Sequence, residues 1–192
     1  MANLGFYYNQ DACTGCRACQ VSCKDKNDLP VGALYRRVRD FEQGSYPAPG
    51  YYHYSWACNH CANPACVANC PTGAMHVAEE GTVLPDDELC IACKTCQQAC
   101  PYDVPFVLET LNVTRKCDAC ADLRARGEKP VCVASCTMRA LDFGDLDELE
   151  AKYGDGLVQE IPVLPNSSET NPSILINPRA CALEEDFVET MI

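Results

Sequence analysis

Large packing side chains are scarce in this sequence, which has one tryptophan and five phenylalanines among 192 residues. Apolar residues still make up 47%, which excludes a chain disordered by composition, although that share counts the cysteines. The length fits one compact domain or two small fused ones, with a core expected to be thin around whatever the cysteines bind. No apolar stretch approaches the roughly 18 residues needed to cross a bilayer, so no direct membrane span is expected. Residues 1–10 have no basic segment followed by an apolar run and do not read as a secretory signal. Positive charge is short as well: 15 Lys and Arg stand against 27 Asp and Glu, for a formal net charge of −12. That balance excludes nucleic acid as a partner, because its phosphates would be repelled, and it disfavours an anionic membrane surface. The acidic residues gather at 145–150 and 184–189 and read mostly as solvated surface.

Cysteine is what the sequence has in excess, with seventeen. Disulfides, structural zinc and iron–sulfur clusters are the uses to weigh. Disulfides need an oxidising compartment, and neighbours two or three residues apart cannot bridge without strain. The remaining choice turns on spacing. The first group is Cys13-x2-Cys16-x2-Cys19-x3-Cys23, and the third, Cys90-x2-Cys93-x2-Cys96-x3-Cys100 followed by Pro101, repeats it. The second, Cys58-x2-Cys61-x4-Cys66-x3-Cys70 followed by Pro71, is a variant with two extra residues. The fourth, Cys117-x2-Cys120-x11-Cys132-x3-Cys136, carries a longer insertion at the same place. Only Cys181 is left over, and it reads as a free thiol. Structural zinc uses two C-x2-C pairs and has no use for the third and fourth positions that recur in every group. Iron–sulfur chemistry does. Three thiolates on a tight loop can each reach one iron of a cubane, while the fourth, on a following helix, points to the other cluster of a pair. Four groups imply two pairs, the ferredoxin pattern used twice, and hence four [4Fe-4S] clusters on sixteen cysteines.

The surrounding sequence predicts small elements. Residues 4–8 read as a strand. His76 to Pro85 reads as a hairpin turning at Glu79-Glu80-Gly81, and Val104–Leu108 with Leu111–Thr114 as another. Ala140–Phe143 reads as a strand, followed by a helix capped at Asp145 and ending near Gly154. Short strand pairs and short helices around clusters describe a ferredoxin-like α+β fold. From Ile161 onward, Pro, Asn and Ser predict an extended C-terminal arm with little core of its own.

The four groups, in this order, resemble the four-cluster iron–sulfur subunits of molybdopterin oxidoreductases, and most closely the dimethyl sulfoxide reductase branch. The stretches that carry the likeness are Cys13 to Leu29, Cys58-Asn-His-Cys-Ala-Asn-Pro-Ala-Cys66, Cys70-Pro-Thr-Gly-Ala-Met75, Arg139 to Leu149 and Asn171-Pro-Ser-Ile-Leu-Ile-Asn-Pro178. The resemblance implies a pairing that spacing leaves open, in which the outer two groups pair and so do the inner two. One cluster would then take Cys13, Cys16, Cys19 and Cys136, and its mate Cys117, Cys120, Cys132 and Cys23. The inner pair would take Cys90, Cys93 and Cys96 with Cys70, and Cys58, Cys61 and Cys66 with Cys100. Two interlocked ferredoxin-like modules follow: an outer one from residues 1–56 and 111–160, an inner one from 57–110, and the arm over 161–192. A related branch places tryptophan at the second position of the third group and holds a three-iron cluster there; Cys93 implies a cubane. The resemblance also implies a molybdopterin catalytic subunit and a quinol-oxidising membrane anchor as partners. No residue of this chain would then be catalytic. The chain would be held at the membrane through a partner, on a side the sequence does not assign, and a twin-arginine signal on the catalytic partner would account for any export.

Cations beside the cysteines would favour the reduced state, and Arg17, Lys24, Lys94, Arg115 and Lys116 are the candidates by position. His60, inside the second group, replaces no cysteine and reads as a hydrogen-bonding residue near a cluster or a partner surface. The stretch Tyr46 to Trp56 reads equally as an aromatic interface patch or a half-buried strand. Two other functions compete with the electron-transfer subunit. A free-standing soluble polyferredoxin would need no arm, and a zinc-held scaffold would be colourless and lose its fold to a chelator.

Overall fold

The computed structural model describes residues 3–190. In chain order the elements are β1 (Leu4–Asn9), α1 (Ala18–Lys26), β2 (Arg37–Gln43), β3 (Gly50–Trp56), α2 (Ala65–Ala68), β4 (Met75–Val77), β5 (Val83–Pro85) and α3 (Thr95–Ala99). Then follow β6 (Phe106–Leu108), β7 (Val113–Arg115), α4 (Ala121–Arg124), α5 (Val131–Ala134), β8 (Leu141–Asp145), α6 (Leu146–Tyr153), β9 (Ile174–Asn177) and β10 (Phe187–Thr190). Helices and strands are short and mixed, as ferredoxin-like α+β packing requires.

Four small sheets organise the chain. The first has the order β8-β1-β9, with β1 antiparallel to β8 (Tyr8 opposite Leu141) and parallel to β9 (Phe6 opposite Ile174). Strand β1 is covered on both faces, so its buried run does not alternate with polar residues. Phe6 and Tyr8 enter the main core, while Tyr7 turns to the other face with Leu146, Leu149 and Leu175 and stacks on Tyr153 at 3.6 Å between ring centroids. Helix α6 supplies that second face. It starts where the Asp145 side chain accepts from the Asp147 amide and ends at Gly154 with φ 86°. Gly5 admits β9, because a Cβ there would stand 2.3 Å from the Ser173 carbonyl oxygen. Both hairpins expected from the sequence form, as β4-β5 and β6-β7.

The second sheet, β10-β2-β3, settles the two readings of the aromatic stretch in favour of a strand. Tyr52, Tyr54 and Trp56 are buried in the core. Phe41 stacks on Tyr52, and the Trp56 indole donates to the Tyr102 carbonyl at 2.8 Å. The hairpin forms a wall behind the first cysteine group, and its burial explains why the aromatics cluster there.

The C-terminal segment differs from expectation. Its composition predicts little core, yet Ile161, Ile174, Leu175, Ile176 and Ala182 are buried and β9 lies against β1. Strand β10 then adds to the free edge of β2. A polar, proline-bearing segment gains order by hydrogen-bonding to existing sheet edges, and a few apolar residues suffice to fill the space beside β1. Removing side-chain volume from β9 should therefore cost as much as in any core strand. Ile176→Ala is expected to remove about 2–4 kcal/mol of packing and lower the denaturation midpoint under anaerobic conditions, followed by circular dichroism. Val188→Ala, on the 65% exposed Val188 of β10, should leave the midpoint in place.

Candidate metal centres

Each cysteine group begins with the same backbone device. The residue before the second cysteine adopts a left-handed conformation in all four: Gly15 (φ 65°), His60 (46°), Ala92 (53°) and Ala119 (53°). Three of these are not glycine, so the turn is held against a real conformational cost. What offsets it is visible in two groups, where the amide of that residue donates back to the first sulfur: His60 N to Cys58 Sγ and Ala119 N to Cys117 Sγ, both 3.4 Å. In the first and third groups, Arg17 and Lys94 are also left-handed and lead directly into α1 and α3. In the second and fourth, Pro64 and Pro130 open α2 and α5, two residues before Cys66 and Cys132. The fourth cysteine lies on α1 as Cys23, directly after α3 as Cys100, or two positions past the end of a short helix as Cys70 and Cys136.

The helices then decide which groups meet. Helix α1 packs on α5, joined by the Ser22 and Ser135 hydroxyls at 2.7 Å, and α2 packs on α3. Cys13, Cys16, Cys19 and Cys136 line one cavity with Tyr8, Val38 and Leu141. Cys58, Cys61, Cys66 and Cys100 line a second with Val83, Tyr102 and Thr170. Cys70, Cys90, Cys93 and Cys96 line a third with Met75 and Ile91. Cys23, Cys117, Cys120 and Cys132 are all buried; burial and the sulfurs of Cys132 and Cys120 raise the Cys23 thiol, and burial and the sulfurs of Cys23, Cys58 and Cys132 raise that of Cys117. All seventeen cysteines are free thiols, and Cys181 stands apart with its sulfur 4.0 Å from the Tyr51 carbonyl. Cys16 and Cys93 are exposed; the other fourteen of the four groups are buried or half-buried.

The donor chemistry fits a multi-atom cluster. Among the described residues no three His, Cys, Asp or Glu side chains converge on a point where one ion would sit. The sulfurs instead surround cavities with mainly apolar walls. Burial pushes the Cys66 and Cys23 thiols up to about 12 and Cys61 up to about 11, so such groups ionise only against strong positive charge within the cavity. Donors already aim at the sulfurs: Ala140 N to Cys136 and Thr114 N to Cys90 at 3.2 Å, Met75 N to Cys70 at 3.4 Å, and the Asn27 amide to Cys23 at 3.7 Å. Hydroxyls add to this, with Thr95 at 3.3 Å from Cys93 and Ser55 at 3.5 Å from Cys19. These are the contacts that hold a thiolate ligand in place and spread its charge.

The expected cations divide. Arg17 pairs with the buried Asp40, which also holds His53 Nδ1 at 2.6 Å. That cluster clamps the first loop, for a Cβ on Gly15 would collide with the His53 ring. Lys24 caps the carbonyls of Leu29, Pro30 and Ala33, Lys94 is exposed, and Arg115 pairs with Asp87. Only Lys116 is buried at a cavity wall, donating to the carbonyls of Val83 at 2.5 Å and Cys117 at 2.9 Å. The cation that the sequence did not reveal is Arg36, 2% exposed, which carries no motif and looks in sequence like one half of a surface Arg-Arg pair. His60 is fully buried and so lies on no partner surface. Its Nδ1 accepts from the Val83 amide at 3.1 Å, and burial, with Lys116 and Arg124 nearby, keeps the ring neutral. The C-terminal segment closes this region, since the amides of Ala62 and Asn63 donate to the carbonyls of Asn171 and Thr170 and the Ser173 amide donates to that of Asn59.

Comparison with known proteins agrees with this chemistry. Two family models described as 4Fe-4S dicluster domains match residues 50–146 and 12–75. The sequence is 42% identical over 184 residues to the B subunit of anaerobic dimethyl sulfoxide reductase from Escherichia coli, covering 92% of this protein and 89% of that one. It is 34% identical over 180 residues to the B subunit of polysulfide reductase from Wolinella succinogenes, covering 91% and 93%. With the thiosulfate reductase electron transfer subunit of Salmonella typhi the figures are 41% over 146 residues, covering 74% and 76%. Likeness of this degree over nearly the whole length, on a framework of clustered buried sulfurs, means that this protein belongs to the 4Fe-4S dicluster family of electron-transfer subunits that includes the B subunits of dimethyl sulfoxide reductases.

Proposed function

We propose that this chain holds four [4Fe-4S] clusters and serves as the relay of single electrons between a quinol-oxidising membrane subunit and a molybdopterin catalytic subunit of the dimethyl sulfoxide reductase type. The observation that supports the reading is that three cavities are each lined by four cysteines drawn from two sequence groups, with Cys23, Cys117, Cys120 and Cys132 buried and close enough to act on one another. The proposed ligand sets are Cys13, Cys16, Cys19 with Cys136; Cys117, Cys120, Cys132 with Cys23; Cys58, Cys61, Cys66 with Cys100; and Cys90, Cys93, Cys96 with Cys70. When bound, such clusters each supply a reversible one-electron couple whose potential the protein adjusts. The residues around them exclude water with Tyr8, Val83, Tyr102 and Leu141, and their amides steady the sulfur charge. Residues 1–56 with 111–160, and 57–110, act on this reading as outer and inner ferredoxin-like modules, interlocked because the inner one is inserted in sequence between the two parts of the outer.

Two sets reach the surface, through Cys16 and Cys93. Beside them stand exposed apolar side chains, Met138 at the first and Ile91 at the second. A large subunit that exchanges electrons must approach at such points, and two separate points suit a chain sandwiched between two partners. Among the described residues no helix is long and apolar enough to cross a membrane, so association would run through the anchor partner. A free polyferredoxin is not favoured by relatives that are named as components of reductases.

The pairing is testable because it contradicts sequence order. Cys13→Ser and Cys136→Ser should perturb the same electron paramagnetic resonance signal, although they lie in the first and fourth groups. Cys117→Ser should perturb a different one, and Cys181→Ser none. Loss of the same signal in Cys117→Ser and Cys136→Ser would show pairing within groups and sink the assignment. Anaerobic purification of the native complex from detergent-solubilised membranes tests the role itself. Molybdenum or tungsten is expected at about one atom per sixteen or more irons. The chain eluting alone with iron, from the soluble fraction, would reject the subunit reading.

A further inference from the structure

Arg36 is a buried cation without a carboxylate. It is 2% exposed, and no Asp or Glu pairs with it among the described residues. One nitrogen, Nη1, donates to the Ser55 carbonyl at 3.1 Å and to the Ser55 hydroxyl at 2.9 Å. The guanidinium carbon lies 4.7 Å from the centroid of the Phe6 ring. Nε and Nη2 have no hydrogen-bond partner although both are buried. A guanidinium in this position is heavily penalised unless negative charge lies close by. Burial works against its charge, but the sulfurs of Cys132, Cys19, Cys117 and Cys23 more than restore it. Those four sulfurs come from two sets, one with Cys13 and one with Cys120.

Ser55 gives the arrangement a direction. Its oxygen accepts from Arg36, which leaves its proton free for Cys19 Sγ, 3.5 Å away. The guanidinium thus reaches the first set through a hydroxyl, while the sulfurs of Cys132, Cys117 and Cys23 in the second act on it through charge. We propose that Arg36 is the shared counter-ion of the Cys13 and Cys23 ligand sets, a positioning residue that makes both of their clusters easier to reduce, with Ser55 extending the effect to Cys19 alone. The proposal rests on the cluster reading above. Its physical basis is that reduction adds negative charge, and a fixed cation in a water-poor site offsets it in both places at once.

The experiment is a redox titration of the anaerobically purified complex followed by electron paramagnetic resonance, with signals assigned by the cysteine variants. In Arg36→Met the reduced-to-oxidised ratio of both clusters at fixed potential should fall about tenfold or more, a downward shift of about 59 mV for a one-electron couple. Arg36→Lys, which keeps the charge, should stay within about threefold of wild type for the second set. Ser55→Ala should lower the Cys13 set only. Unmoved midpoints in Arg36→Met, or equal shifts in Arg36→Lys and Arg36→Met, would mean that Arg36 merely props the β3 wall. If Arg36→Met fails to retain iron, Ser55→Ala decides: a shift confined to one signal supports the proposal, and no shift overturns it. Absence of these signals from the wild-type complex would reject the ligand sets themselves, an outcome distinct from the failure of Arg36.

Discussion

Sixteen clustered thiols, most of them out of reach of water, set the problem that the rest of the fold answers. A buried thiol resists ionisation, and four thiolates facing one cavity repel one another. The sets are sustainable only with positive charge inside the cavities and donors around the sulfurs. The chain provides the donors locally, through left-handed residues that turn amides back toward Cys58 and Cys117. Strain at His60, Ala92 and Ala119 is therefore part of the binding device and not an accident of loop geometry. An acidic chain has few cations to spare, and it buries two of them, Arg36 and Lys116, where the sulfurs are densest.

On the proposed ligand sets, exchange of the fourth cysteine accounts for the topology. Helix α1 must lie on α5 if Cys23 and Cys136 are to cross between the first and fourth groups, and β1 must then lie beside β8. Contacts between residues more than 100 positions apart cost chain entropy to close. Helices of four or five residues such as α2, α3 and α5 have no stability of their own. The energy that holds them comes from the packed sulfur sets and from β1, whose residues are buried on both faces. Folding of this chain and filling of its cavities are accordingly coupled events.

Much of this was legible in the sequence, and the reason is spacing. The cysteine groups, both short hairpins, β1, β8 and the capped α6 are local patterns, each written within at most twenty residues. What sequence could not reveal is long-range. Arg36 has no motif, since its role depends on Ser55 and on sulfurs from the first and fourth groups. Arg17 and Arg115 look like tuning charges in sequence, yet carboxylates on β2 and before α3 claim them. The β2-β3 hairpin hides because Tyr52, Tyr54 and Trp56 are equally at home on an interface. The segment after Ile161 hides because its composition is that of a loop, while its order comes entirely from partners elsewhere in the chain.

That segment also ties distant parts of the chain together. The turn before β9 bonds to Asn59, Ala62 and Asn63 in the second cysteine loop, and Thr170 stands in the wall of the Cys58 cavity. Four residues further on, β9 is the partner of β1 in the sheet behind the first cavity. One stretch thus closes an inner cavity and completes an outer sheet. The second cysteine loop and the β8-β1-β9 sheet are fastened together by it, and they cannot move apart without opening the cavity that Thr170 lines. A protein that hands on electrons needs its sites at fixed separations, and rigidity of this kind is readily obtained from backbone hydrogen bonds to a strand edge. The polar composition that makes the segment look dispensable in sequence is what lets it run across the surface between the two halves before β9 buries itself beside β1.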